Sequence, residues 1–147
     1  MRRIIFILIT IVVSATADAQ TGLNIERLLS GHYRKYENVD EVIVKGHRLD
    51  AYNLSLYHSL IVKNDEGLFR TMEQLVLADG KDAGDKEIAN IGSRLYYAFY
   101  SLPPANGCRR YLFFKNSSLK KGGENCATLI YMEGGASVEE LKKMFKK

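Results

Sequence analysis

Hydrophobic and polar positions change period several times along the chain, and each change marks an element. In "NIERLLSGHYRKY", Ile25, Leu28, Leu29, Tyr33 and Tyr36 recur at helical spacing behind Asn24, a good N-cap, so a helix is expected there. "DEVIVKG" is β-branched and closed by Gly46, which reads as a short strand. "LDAYNLSLYHSLIVKN" fits two periods. Leu49, Tyr52, Leu56 and Leu60 suit a helix, whereas Leu54, Leu56, Leu60 and Val62 share strand parity. The β-prone Ile61-Val62 end favours extended chain.

"NDEGLFRTMEQLVLADG" is the clearest helix: Asp65 caps it, Leu68, Met72, Leu75 and Val76 form one face, and Gly80 ends it. "DKEIANIGSRLYYAFYSL" reads as one long extended stretch with a bulge or bend at Gly92, stopped by Pro103 and Pro104. "RRYLFFK" and "CATLIYMEG" are two more strands, separated by the polar turn "NSSLKKGGEN". "SVEELKKMFKK" closes the chain as a helix. Ser137 and Glu140 form its capping box, and Val138, Leu141, Met144 and Phe145 its apolar stripe. This order predicts an α+β fold, a largely antiparallel sheet of about four to five strands with two to three helices covering a face.

The first residues change the picture of where the fold begins. Arg2 and Arg3 precede the apolar run Ile4–Val13, and Ala17-Asp18-Ala19 has the small-x-small form of a cleavage site. Residues 1–19 are therefore expected to be a signal peptide, and 20–147 one α+β domain. The run is shorter than the roughly 20 residues of a membrane-spanning helix, and no later stretch of the sequence is long and apolar enough. The expected location is periplasmic or secreted.

Charge is uneven. Residues 20–92 hold 9 Lys and Arg against 12 Asp and Glu, whereas residues 93–147 hold 10 against 4. A basic C-terminal half could meet an anionic lipid or polysaccharide through Lys120, Lys121, Lys146 and Lys147. It also raises the question of nucleic acid, because Ser93–Lys115 combines 7 aromatic rings with 4 basic side chains. Strand parity answers it. Leu95, Tyr97 and Phe99 fall on one face and Tyr96, Ala98 and Tyr100 on the other, with cations only at the ends. A base-stacking platform needs exposed rings and cations together on one face, and no RNA-binding glycine pattern is present. The rings read as sheet core, with a tyrosine-rich patch left for a partner.

Recognisable chemistry is sparse. His32, His47 and His58 form no metal-binding pair, no G-x-S-x-G elbow occurs, and the acidic run "DGKDAGDKE" lacks the ligand spacing of a calcium loop. No catalytic residue, metal or cofactor is expected. The two cysteines are separated by register: a hairpin about the polar turn places Cys126 opposite a residue between Lys115 and Leu119. Cys108 then lies about 23 Å away at roughly 3.3 Å per residue, against the roughly 7 Å a disulfide tolerates. No Cys108–Cys126 bond is expected.

The segments "GLNIERLLSGHYRKYENVDEVIVKGHRL", "RLYYAFYSLPP", "RRYLFFKN" and "TLIYMEGGASVEELKKMFKK" together resemble a family of small exported proteins of unknown function from Gram-negative gut bacteria. The resemblance brings no catalytic residues and implies a bacterial envelope or secreted location. The functional expectation is a binding or interaction module, with a small envelope hydrolase or other enzyme of dispersed catalytic residues as the alternative. Its partner would be an envelope protein, a glycan or an anionic surface, not nucleic acid. The residues singled out for that surface are Tyr96, Tyr100, Tyr111, Lys120 and Lys121.

Overall fold

The computed structural model describes residues 22–145. The cleavable leader expected over residues 1–19 lies outside them, as do Lys146 and Lys147. Six strands, rather than four to five, form one sheet: β1 Val39–Lys45, β2 Leu54–Lys63, β3 Asp85–Ile91, β4 Arg94–Ala105, β5 Cys108–Asn116 and β6 Cys126–Gly134. Their order is β1-β2-β6-β5-β4-β3, and every neighbouring pair is antiparallel. Helix α1, Glu66–Asp79, carries the chain from β2 to the far edge. The meander β3–β6 then returns, so that β6 pairs with both β2 and β5. Helix α2, Val138–Phe145, follows β6.

Both sheet faces are apolar, and a separate cover lies on each. On the first, Leu60, Val62, Ala98, Tyr100, Leu112, Phe114, Leu129 and Tyr131 meet Phe69, Met72 and Val76 of α1 together with Ile25, Leu28 and Leu29. On the second, Phe99, Tyr111, Ile130 and Met132 meet Leu141 of α2 and Leu49. The helices therefore cover two faces, not one. Asp65 caps α1 by accepting the Leu68 N–H at 3.0 Å. Arg94 ties that helix to the start of β4, donating to Glu73 at 2.9 Å and Glu66 at 3.0 Å.

Three local expectations are corrected. The helix over residues 24–36 is only a 3-10 turn, Asn24–Arg27, followed by turns. Asn24 does not cap it. Asp79 instead takes the Asn24 N–H at 2.6 Å, the Asn24 side-chain amide at 2.9 Å and the Ile25 N–H at 2.9 Å. A tertiary acceptor has replaced the local cap, and Gly31 at φ +91° breaks the helical path beyond it.

The long stretch after Gly84 is two strands. Gly92, at φ +63°, is the first central residue of a two-residue hairpin turn rather than a bulge, a position that needs glycine. The bulge lies between Ala89 and Asn90 and turns Leu95 into the α1-side core beside Ala98, away from Tyr97 and Phe99. Pro103 and Pro104 do not end β4. They occupy a register shift between Leu102 and Ala105, where the ladder asks for no N–H from them. The turn is made by Asn106-Gly107, at φ +54° and +76°.

The β5–β6 hairpin has the expected register, with Tyr111 opposite Met132 and Lys115 opposite Thr128. Cys108 and Cys126 begin the two antiparallel strands at opposite ends, and both are free thiols. The capping box of α2 also forms: Ser137 N–H donates to Glu140 at 3.1 Å, and Glu140 N–H donates to the Ser137 hydroxyl at 3.2 Å. The Ser137 amide holds the Glu140 carboxyl below the usual carboxylate range.

Removing the Asp79 acceptor strands the amides of Asn24 and Ile25 and frees the cover they anchor. Asp79→Ala is therefore expected to lower unfolding free energy by about 2–3 kcal/mol in urea titration. A loss below about 0.5 kcal/mol would show that residues 24–29 are held by packing alone.

Candidate functional site

The α2-side cover is incomplete, and a groove of about 240 Å³ remains between its two pieces. One wall is the 3-10 segment Gly46–Tyr52, which contributes Leu49 and Tyr52. The other is α2, which contributes Met144. Leu54 and Tyr57 of β2 and Met132 of β6 line it from the sheet. Tyr52 is half exposed, whereas Leu49, Leu54 and Met132 are buried. Methionine fills irregular gaps and adapts to different apolar shapes, and it stands at two of these positions, fully buried at Met132 and half-buried at Met144.

The two pieces of this cover are joined through Asn53, which follows Tyr52. Asn53 adopts φ +55°, and its carbonyl accepts from Gly135 at 3.1 Å and Ala136 at 2.8 Å. A Cβ at Gly134 would lie 2.6 Å from the Leu54 Cα, so only glycine lets the two strand ends approach this closely. Tyr111 donates its hydroxyl to the Ala136 carbonyl at 2.6 Å. These contacts fix where α2 leaves the sheet and therefore how far its last turn stands from Tyr52.

Polar chemistry lies elsewhere and is largely enclosed. His58 and Glu41 meet at 2.5 Å between Nε2 and Oε2, with side chains 3% and 1% exposed. Arg34 stands 3.6 Å from the other Glu41 oxygen. This is the histidine–carboxylate convergence that a hydrolase would need, but neither side chain lines any of the grooves described here. Its position ties edge strand β1 to β2. Tyr131 donates to Glu133 at 2.6 Å, and burial followed by that carboxylate pushes its phenol far above the ordinary tyrosine range. Burial and Asp79 also raise Tyr100.

A polar cleft of about 210 Å³ is lined by Asn24, Asp79, Asp82, Pro103 and Arg110. Its principal side chains are already engaged: Asp79 by the amides above, and Arg110 by the Pro103 carbonyl at 2.7 Å. A wider hollow of about 430 Å³ contains Cys108 beside Asp50 and Ser55, with no histidine among its lining residues. Among the described residues no group of three His, Cys, Asp or Glu side chains could hold a metal.

The residues expected at a partner surface do not converge. Tyr100 and Tyr111 are each 1% exposed and lie on opposite faces. Tyr100 is enclosed because its ring fills the place a Cβ would take at Gly80, and Tyr111 because its hydroxyl is spent on the α2 junction. Tyr96 is half-buried at the β4 bulge, with the Lys115 ammonium 5.9 Å from its ring centre. Lys120 and Lys121 are exposed in the turn between β5 and β6. The ring pair Tyr97–Phe113 packs edge to face at 5.5 Å, a core arrangement rather than a base-stacking platform. The groove residues missed from sequence had one signal, the helical spacing of Leu49 and Tyr52 within a segment that otherwise reads as extended.

The raised phenols set the alkaline limit of stability. Unfolded tyrosine ionises near pH 10. A phenol whose folded value is higher keeps its full contribution below that pH and loses it as pH climbs towards the folded value. Unfolding free energy is therefore expected to fall above about pH 10, and Tyr131→Phe to lessen the fall. An alkaline limb unchanged in the variant would contradict this.

No curated protein and no solved structure matches the chain. The sequence does match the Family of unknown function (DUF6108) over residues 12–145, nearly its whole length, and the chain belongs to that family.

Proposed function

We propose that the chain is an exported bacterial binding module whose apolar groove receives an apolar group of its partner. The observation that carries this reading is the gap in the α2-side cover: a concave, apolar site lined by two methionines and two tyrosines, in a molecule whose histidine–carboxylate pair, His58 with Glu41, is enclosed elsewhere. Export is supported by Arg2-Arg3, the run Ile4–Val13 and the small residues around Ala19. A binding role is favoured over a hydrolase because the Glu41–His58 pair is enclosed at the β1 edge rather than presented in a cleft.

Two measurements test the two halves. Mass spectrometry of the protein recovered from a Gram-negative host is expected to find Gln20 at the N-terminus, and an uncleaved chain would count against export. The neutral apolar fluorophore N-phenylnaphthylamine is expected to bind at one site. Met144→Glu should weaken it at least about tenfold, which is ~1.4 kcal/mol. Ile88→Glu, at an exposed position on edge strand β3, should leave it unchanged. Equal binding by Met144→Glu and the parent protein would remove the groove as the site.

A further inference from the structure

The sheet has two edges, β1 and β3, and they differ in what they leave unpaired. At the start of β1 the Lys63 N–H donates to the Asn38 carbonyl at 2.9 Å, which fixes the phase of the β1–β2 ladder. Backbone groups alternate in direction along an antiparallel strand. Those of Asp40, Val42 and Val44 therefore face β2, and those of Glu41, Ile43 and Lys45 face outward. The Val39 N–H agrees with this phase, since it donates to the Tyr36 carbonyl at 3.1 Å and not to β2. Among the described residues, no backbone partner meets the outward groups of Glu41, Ile43 and Lys45. Val42 and Ile43 are 47% and 43% exposed. Lys45 is exposed and, among the described residues, has no ion-pair partner.

An open edge of this kind is a template for another strand, and its residues are complementary to themselves. Two copies related by a two-fold axis normal to the sheet pair only residues of like parity, because opposed side chains share a face. Centring the pairing on Ile43 sets Glu41 opposite Lys45 on the α1 side and Val42 opposite Val44 on the other, each twice, with the two Ile43 side chains at the axis. The outward N–H and C=O groups of Glu41, Ile43 and Lys45 then all find partners. Opposite charges and apolar pairs set directly across a ladder both stabilise it. Glu41 also carries an enclosed carboxylate oxygen that accepts no hydrogen bond, with Arg34 at 3.6 Å, so this face holds negative charge for Lys45 of the second copy to meet. Neighbouring registers are worse: centring on Val42 sets Glu41 against Ile43, and centring on Glu41 sets two carboxylates against each other. The β3 edge offers no such match. Centring there on Lys86 or Glu87 opposes like charges, Lys142 already pairs with Glu87, and a bulge interrupts the strand between Ala89 and Asn90.

We infer that β1 pairs with β1 of a second copy of this chain, antiparallel and centred on Ile43, joining two sheets into one. The closed two-fold contact uses the β1 edge and leaves the guarded β3 edges at the outside.

Sedimentation of the purified chain over a concentration series is expected to show a monomer passing to a dimer and to nothing larger. Ile43→Lys sets two ammonium groups together at the axis and should weaken the dimer at least about tenfold. Ile88→Lys, the matching change at an exposed position on β3, should leave it unaltered. Amide exchange on the unaltered protein reads the register without any variant. Glu41, Ile43 and Lys45 should exchange slowly in concentrated solution and fast after dilution to monomer, whereas Asp40, Val42 and Val44 stay slow in both. A chain monomeric at every concentration would overturn the inference, as would species growing beyond the dimer, which β1 joined to β3 of the next copy would produce. A dimer weakened equally by Ile43→Lys and Ile88→Lys, or outward amides indifferent to concentration, would also overturn it.

Discussion

Burial of β6 on both of its faces is the constraint on which the rest of the molecule depends. Ala127, Leu129 and Tyr131 point to one side of this strand and Ile130 and Met132 to the other, and all five are buried. A strand buried on both faces needs a cover on each, and side chains as large as Leu129, Ile130 and Met132 contribute about 1.5–3 kcal/mol each only while that cover is in place. The chain meets that demand with unequal pieces. Helix α1 has 14 residues, about 21 Å at ~1.5 Å per residue, and is supplemented by residues 24–29. Helix α2 has 8 residues, about 12 Å, against a strand of 9 residues that runs about 30 Å.

The groove follows from this mismatch in length. The seven-residue segment Gly46–Tyr52 folds over part of what α2 leaves bare, and Leu49 packs there. The two pieces are joined through Asn53, whose carbonyl accepts from Gly135 and Ala136, and Tyr52 and Met144 both line the gap between them. The buried polar contacts, His58 with Glu41 and Tyr131 with Glu133, have a different task. They hold an edge strand and the sheet interior, and their enclosure makes them elements of stability.

Much of this fold was legible in the residues, because it rests on local periodicity. The helix capped by Asp65, the capping box at Ser137 and Glu140, and the β5–β6 register all followed from spacing and turn chemistry. What escaped was set by contacts between distant segments. Asn24 looks like a cap, but Asp79, 55 residues away, takes its amide instead. Gly92 looks like a bend within one strand until β3 folds back on β4. The bulge that moves Leu95 to the other face has no local mark. Tyrosines were the least legible, since the same residue serves as core or surface. Tyr100 and Tyr111 are enclosed by Gly80 and the α2 junction, whereas Tyr52 and Tyr57 line the groove.

The methionine methyl groups give the most direct measurement of whether an apolar ligand occupies the gap left by α2. Met132 and Met144 line it, and Met72 is fully buried beneath α1 on the opposite face. In a methyl-labelled sample titrated with N-phenylnaphthylamine, the Met132 and Met144 resonances are expected to move together and saturate, while Met72 stays in place. Movement of Met72, or no movement of the groove pair at saturating N-phenylnaphthylamine, would contradict the assignment of this gap as the binding site.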